Sequence, residues 1–249
     1  MKSLLEIHQD LLRNQQAIDK DEVEQFLSRF EQNVMATAPR NSLSYALDLK
    51  TMKYVYVSAN CSIFTGKTVE DFKNKGMDLL LEIMHKADFK ALSYDLFPAM
   101  QEKYLELSLE DRKNTVFELY YRLIHAGTGM ETPVVEYSSY ARYDDEGSPT
   151  FSTGVIYESP LAMDGVRGIV RHIDSDAQTT LFDRCDFHAL DVLTKTEKAI
   201  VQSFIKNQSR DCIAADLNIS IHTVRTHFKN IYKKLDINKE ADLLGVVKI

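Results

Sequence analysis

Sixteen residues from Ser220 to Leu235 contain no carboxylate, and their apolar members fall at helical spacing. At about 100° per residue, Ile221, Val224, Phe228, Ile231, Tyr232 and Leu235 share one side of a helix. His222, Arg225, Thr226, Lys229 and Lys233 gather on the neighbouring side, so a stripe built for burial lies beside a wholly basic one. Ser220 is a good N-cap for such a helix, and its polar face suits a phosphate-lined groove. Taken alone, a basic helix face is more often solvated surface than a binding site.

The flanking sequence changes that balance. Thr194 and Glu197 form a capping box that starts a helix with Ile200, Val201, Phe204 and Ile205 on its buried side. Asn207-Gln208 is expected to turn the chain, and Ser209 caps a second helix carrying Ile213, Ala214 and Leu217. Asn218 occupies the tight turn before Ser220, and Asn238 begins a last helix. The net charge of −7 argues against nucleic acid only if charge is spread evenly. From Leu190 to Ile249 there are ten Lys/Arg and seven Asp/Glu, a balance of +3 that leaves −10 for the rest.

The run Leu193-Thr194-x-x-Glu197, Ile213-Ala214-x-x-Leu217, Ser220-x-x-Thr223-Val224-Arg225-Thr226-His227 and Asn230-Ile231-x-x-Lys234-Leu235 closely resembles the four-helix module of the LuxR family. The resemblance implies double-stranded DNA as partner, with the helix from Ser220 as recognition helix in the major groove. It places Arg225, Thr226 and Lys229 toward bases, and Thr194, Ser220, His222, Thr223 and Lys233 toward phosphate. His227 lies off the Arg225 stripe and is expected to pack or to position phosphate. Asn207 and Asn218 stand where the family commonly has glycine, and Asn is the least costly substitute at a left-handed turn. The last helix implies a homodimer through Leu244 and Val247, each of which is equally well read as plain core.

At 249 residues the chain is long enough for two domains. The first forty residues read as two helices ended by Pro39, the second striped by Val23, Phe26, Leu27, Phe30 and Val34; this stripe packs on the next domain or pairs two copies. From Asn41 the pattern becomes strands, short helices and strands again. Leu43, Tyr45, Leu47 and Leu49 alternate, and Tyr54-Val55-Tyr56-Val57 is β-rich. Thr68 caps a helix in the segment from Ser62 to Gln101. Three further strands alternate at Phe117, Leu119, Tyr121 and Leu123, at Val135, Tyr137, Ser139, Ala141 and Tyr143, and at Phe151, Thr153, Val155 and Tyr157. Turns at Gly127-Thr128-Gly129 and Asp144-Asp145-Glu146-Gly147 make these antiparallel hairpins.

This order, with Val57-Ser58-Ala59-Asn60 and Ile83-Met84-His85-Lys86-Ala87-Asp88, resembles a PAS sensor domain. The resulting expectation is an α+β chain with N-terminal helices at 1–40 and a PAS-like five-stranded antiparallel sheet with flanking helices at 41–159. A connection follows at 160–190, with at most a short strand at Gly165–Val170, and then the four-helix module at 191–249. Such a sensor implies a concave site for a small molecule, with Tyr45, Tyr121, Tyr137 and Ser139 as lining candidates, although strand aromatics are more often core.

Other readings are weaker. His85 as a haem ligand lacks a second signature and reads as structural, and Cys61 reads as a buried thiol outside any flavin-binding motif. Cys61, Cys185 and Cys212 are too far apart in sequence for a metal pair, and no Gly-rich phosphate loop or nucleophile elbow occurs, so neither an enzyme nor a resident cofactor is expected. With no long apolar run, the chain is expected in the cytoplasm, without a membrane partner. The functional expectation is a DNA-binding transcriptional regulator controlled by a ligand or partner. The alternative is a signalling adaptor whose C-terminal helices do not read DNA.

Overall fold

The computed structural model describes residues 20–37, 41–174, 177–207 and 209–247. The first of the two expected N-terminal helices, the Val23 side chain, Pro39 and Gln208 lie outside them. The chain forms two compact units, one running to Leu161 and taking in Val166–Arg184, the other comprising Ala162–Gly165 and Cys185 onward.

In the first unit, helix α1 (Lys20–Thr37) precedes strands β1 (Ser42–Asp48) and β2 (Lys53–Val57). Short helices α2 (Cys61–Thr65), α3 (Val69–Lys75) and α4 (Leu80–Ile83) follow, with a 3-10 turn at Gly76–Leu79 between the last two. Thr68 caps α3 as its sequence requires: its hydroxyl accepts from Asp71 N, and the Asp71 carboxylate accepts from Thr68 N at 2.8 Å. Helix α5 (Lys86–Ala91) continues through a π turn at Leu92–Leu96 into α6 (Phe97–Leu105), and α7 (Leu109–Arg112) leads back to the sheet. Strands β3 (Thr115–Ile124), β4 (Glu131–Tyr143), β5 (Pro149–Glu158), β6 (Gly165–Ile173) and β7 (Gln178–Phe187) complete it, in the order β2-β1-β5-β4-β3-β6-β7. Gly147, at φ 80°, supplies the left-handed residue of the β4–β5 turn.

The α+β architecture agrees with the sequence, but the sheet has seven strands rather than five. Residues 160–190 are not a plain connection, because β6 and β7 lie within them. Strand β6 pairs antiparallel with β3, from Thr115↔His172 to Tyr120↔Arg167, and buries Val166, Ile169 and Val170. Without it the β3 edge would be left with open hydrogen-bonding groups.

One face of the sheet is covered and the other partly so. On one, the helices between β2 and β3 enclose a core that includes Leu79, Ile83, Leu92, Leu96, Met100 and Tyr104. On the other, α1 lays Phe26 against Phe151, with ring centroids 5.5 Å apart, and Phe30 against Tyr56 at the same separation. Arg142 adds a cation–π contact 5.7 Å above Phe26. Those two residues of the expected stripe therefore pack on this chain's own sheet.

His85 and Asp88 are structural parts of this unit. The fully buried Asp88 carboxylate accepts from Arg122 N at 2.8 Å, Nε at 3.0 Å and Nη2 at 2.7 Å, and lies 3.1 Å from His85 Nδ1. A buried carboxylate needs such a set of donors, and Arg122 presents its planar fork to it. The bond pins α5 to β3.

In the second unit, a 3-10 turn at His188–Leu190 leads into α8 (Lys195–Asn207), α9 (Arg210–Asp216), α10 (Ile221–Leu235) and α11 (Glu240–Val246). Ile200, Val201, Phe204, Ile213, Val224, Phe228, Ile231 and Leu243 are buried, with the Phe204 and Phe228 rings edge to face at 5.5 Å. Among the described residues no helix is long and apolar enough to cross a membrane.

One position ties backbone to site. Gly154 on β5 faces Tyr45 on β1, and a Cβ there would sit 2.6 Å from the phenol ring. Gly154→Ala should therefore displace Tyr45 and cost about 1–3 kcal/mol, the usual penalty for overpacking. Thermal denaturation checks this; an unchanged Tm would show that Tyr45 needs no space at Gly154.

Candidate nucleic-acid interface and buried cavity

The second unit is organised around its caps. Thr194 N and Oγ1 donate to Glu197 Oε2 at 2.8 and 2.9 Å, and Glu197 N donates back to Thr194 Oγ1 at 3.3 Å. Lys234, from the last turn of α10, donates to the same Glu197 oxygen at 2.6 Å. The Glu197 carboxylate is buried, which by itself would raise its pKa, but the Lys234 and Thr194 hydrogen bonds outweigh this and hold it below the ordinary carboxylate value. The start of α8 is thereby locked to the end of α10.

Ser209 and Ser220 cap α9 and α10, their hydroxyls accepting from Cys212 N and Thr223 N. Asn218 is left-handed at φ 50°, as the tight turn requires. Asn207 does something else: it ends α8 as a helical residue, and its Nδ2 donates to Asp216 Oδ2 at 2.9 Å, which Ser203 Oγ also reaches at 2.8 Å. Its contribution is a side-chain clasp between α8 and α9 rather than a left-handed turn. Arg210 closes the other side, with Nε donating to Glu240 Oε1 at 2.6 Å and the guanidinium 4.9 Å above the Phe228 ring.

This frame presents one face of α10. Val224, Phe228 and Ile231 point into the bundle, while His222, Arg225, Thr226, Lys229 and Lys233 are exposed. Among the described residues no carboxylate pairs with Arg225, Lys229 or Lys233, so this face carries free positive charge. The Thr226 hydroxyl donates to His222 O at 3.1 Å, which leaves its methyl and lone pairs outward. Ser220 is exposed and Thr223 half-exposed, with their hydroxyls 2.8 Å apart at the helix start, where backbone N–H groups attract anions. Thr194 is exposed at the start of α8. His227 is only half-exposed, and its Nδ1 is buried without a partner.

The two dimer candidates separate. Leu244 is 40% exposed, whereas Val247 is buried within its own unit and is not available to a partner. The α11 turn brings Leu243 and Val247 inward and leaves Leu244 outside.

In the first unit a cavity of about 100 Å³ lies between the helices and the sheet. Tyr45 and Tyr121 line it, as expected, but Tyr137 and Ser139 do not. They face the opposite side of the sheet, in a shallow groove with Phe30 and Val34 of α1. Strand β4 turns its other set of residues, Glu136, Ser138 and Tyr140, into the cavity. The expected set lies on the face that α1 covers only in part, where Tyr137 stays 39% exposed.

Glu136 is the cavity-lining residue that strand alternation did not single out. Tyr121 Oη donates to its Oε2 at 2.7 Å, and Tyr45 Oη donates to its Oε1. Burial raises the Glu136 pKa from its ordinary value, with Tyr45, Tyr121 and Ser138 pulling the other way. Burial, and next the nearby Glu136 charge, push the Tyr45, Tyr121 and Tyr54 phenols well above their ordinary values. Glu136 lies opposite Leu119 of β3 and Ile156 of β5, so neither of its two phenol partners is its direct cross-strand neighbour and no local pattern places them beside it.

Residues 191–247 match the family described as bacterial regulatory proteins, luxR family. None of the curated proteins matches the chain by sequence. The Vibrio cholerae VqmA dimer in the absence of target DNA is 13% identical at a TM-score of 0.32, covering 87% of this chain and 85% of that one. VqmA bound to DPO is 14% identical at 0.33, covering 90% and 91%. A fungal LOV domain photoreceptor is 14% identical at 0.33, covering 55% and 91%.

The Lys234–Glu197 bond generates a pH-dependent expectation. Because the folded pKa of Glu197 is depressed, its contribution to stability is present above the unfolded carboxylate pKa and lost as pH falls through the lower folded value. Lys234→Met should cost about 1–2 kcal/mol near neutrality, since Lys234 is partly exposed and water screens part of the bond. The difference from the parent should shrink on acidification. Urea melts at neutral and acid pH measure it, and a pH-independent gap would exclude the ion pair as the cause.

Proposed function

We propose that this chain, whose residues 191–247 form a LuxR-family regulatory domain, is a sequence-specific DNA-binding transcriptional regulator of the cytoplasm whose first unit takes a small-molecule or partner input. The observation that carries the reading is the unpaired basic face of α10, held outward by a helix whose opposite side is fully committed to the core. An α-helix of this kind fits the major groove, where Arg and Lys donate to guanine O6 and N7 and a threonine methyl meets thymine. Arg225, Thr226 and Lys229 are assigned to bases. Thr194, Ser220, His222, Thr223 and Lys233 are assigned to phosphate.

The working unit is proposed to be a homodimer, because one recognition helix reads only a few base pairs. Leu244 is the contact assigned to that interface, Val247 being committed to the core. The cavity of the first unit is proposed as the input site, since enclosed apolar walls with a few convergent polar groups are how small ligands are held. The adaptor alternative would leave the basic face of α10 without a purpose.

Arg225→Ala and Lys229→Ala should each weaken specific operator binding by about 1–3 kcal/mol and relax sequence preference, without loss of fold. Lys233→Ala should weaken binding similarly on all sequences and lower the salt slope by about one unit. Gel shifts on genomic fragments across a salt series test this. No DNA binding by the parent chain would favour the adaptor, and unchanged affinity in both base-face variants would refute the recognition-face assignment. Light scattering on Leu244→Asp tests the interface: monomers are expected, and an unaltered dimer places the contact elsewhere.

A further inference from the structure

The cavity between the helices and the sheet contains one carboxylate and no side chain to neutralise it. Its lining includes Glu136 but no Lys, Arg or His. Tyr45 and Tyr121 each occupy one acceptor position of the carboxylate, one on each oxygen. Ser138 beside them also hydrogen-bonds the carboxylate, which offers about four such positions, so some acceptor capacity remains. Across the cavity, from the π turn, the Ser93 hydroxyl is buried without a partner and lines the same space.

The walls beside Glu136 are aromatic. Tyr45 and Tyr54 meet edge to face at 5.7 Å, and Tyr54 and Phe72 at 5.3 Å. Aromatic faces attract cations, and a buried carboxylate without a counterion is costly unless one is supplied. An anionic ligand would meet like charge here, and a ligand with acceptors alone would find no donor at Glu136.

We propose that this cavity takes a compact organic monocation, a protonated amine or amidine, whose N–H groups donate to Glu136 and whose charge is held between Tyr45, Tyr54 and Tyr121. The proposal rests on the reading of the cavity as the input site and adds the chemical class of its ligand. At roughly 10–15 Å³ per water, the cavity corresponds to on the order of seven waters, or a ligand of about six to eight non-hydrogen atoms. Glu136 supplies charge selection, the aromatic walls supply desolvated contact, and Ser93 is placed for a second polar group.

The test is thermal shift and calorimetry on the full chain with cyclopentylamine, piperidine and cyclopropanecarboxamidine, beside the neutral cyclopentanol and the anionic cyclobutanecarboxylate. The amine set should bind and raise Tm, and the neutral and anionic compounds should not. Glu136→Gln, which keeps the size and one acceptor oxygen but removes the charge, should weaken amine binding by about tenfold or more, the loss of a charged hydrogen bond in a buried site. Ile156→Phe, which fills the cavity, should abolish it.

If Glu136→Gln fails to fold, calorimetry on the parent chain in buffers of different ionisation heat reads the same residue. Cation uptake should release protons increasingly as the pH falls toward the raised Glu136 pKa; binding with no linked proton over that range overturns the role of Glu136. The neutral compound binding while the amines are silent, with Ile156→Phe blocking it, overturns the cation and leaves the cavity as input site. Binding that Ile156→Phe does not affect removes the cavity itself. Silence of all three sets overturns the cation.

Discussion

An antiparallel sheet covered on one face and partly covered on the other governs the first unit, because each strand must then place an acceptable side chain on two sides at once. The helices between β2 and β3 close one face, and α1 closes part of the other with Phe26 and Phe30. Under that constraint alternation no longer separates core from solvent, and both sets of residues on β4 become partly buried. The polar set of β4 could face inward only because phenols from β1 and β3 were there to meet Glu136. Gly154 gives the Tyr45 ring the room to reach it. The cavity, its charge and its aromatic walls all follow from which way β4 turns.

The second unit solves a different problem, which is to hold one helix face outward with nothing packed on it. Its core side is apolar and its caps are reinforced by long-range bonds. Glu197 serves its own helix start and also receives Lys234 from the far end of α10. Asn207 and Ser203 converge on Asp216, and Arg210 reaches Glu240 while covering Phe228. The cations with partners are the ones that brace the bundle. Arg225, Lys229 and Lys233 have none among the described residues, and that division of labour within one set of basic side chains leaves α10 with an open basic face.

Much of the second unit was legible in the sequence because its determinants are local. A capping box, three serine or threonine caps and a 3.6-residue apolar period act within a few residues, and the family motif records the same spacing. Asn218 was readable for the same reason, since a left-handed residue in a tight turn between two helices leaves few choices. Asn207 was not, because its role depends on Asp216 in another helix. Leu244 and Val247 were indistinguishable by pattern, and only the packing of α11 put one outside and the other within.

In the first unit the amino-acid sequence by itself determined where strands, turns and helices occur, since hairpin glycines and alternating β-branched and aromatic residues act through nearest neighbours. It also determined the uneven charge along the chain and the basic face of α10. Tertiary structure alone decided that residues 160–190 supply two more strands, because the need for β6 arises at the edge of β3, more than forty residues earlier. It alone decided that Glu136, rather than Tyr137 or Ser139, enters the cavity. A side chain's face is a property of what covers both sides of its strand, and those covers come from segments that no local pattern connects to it.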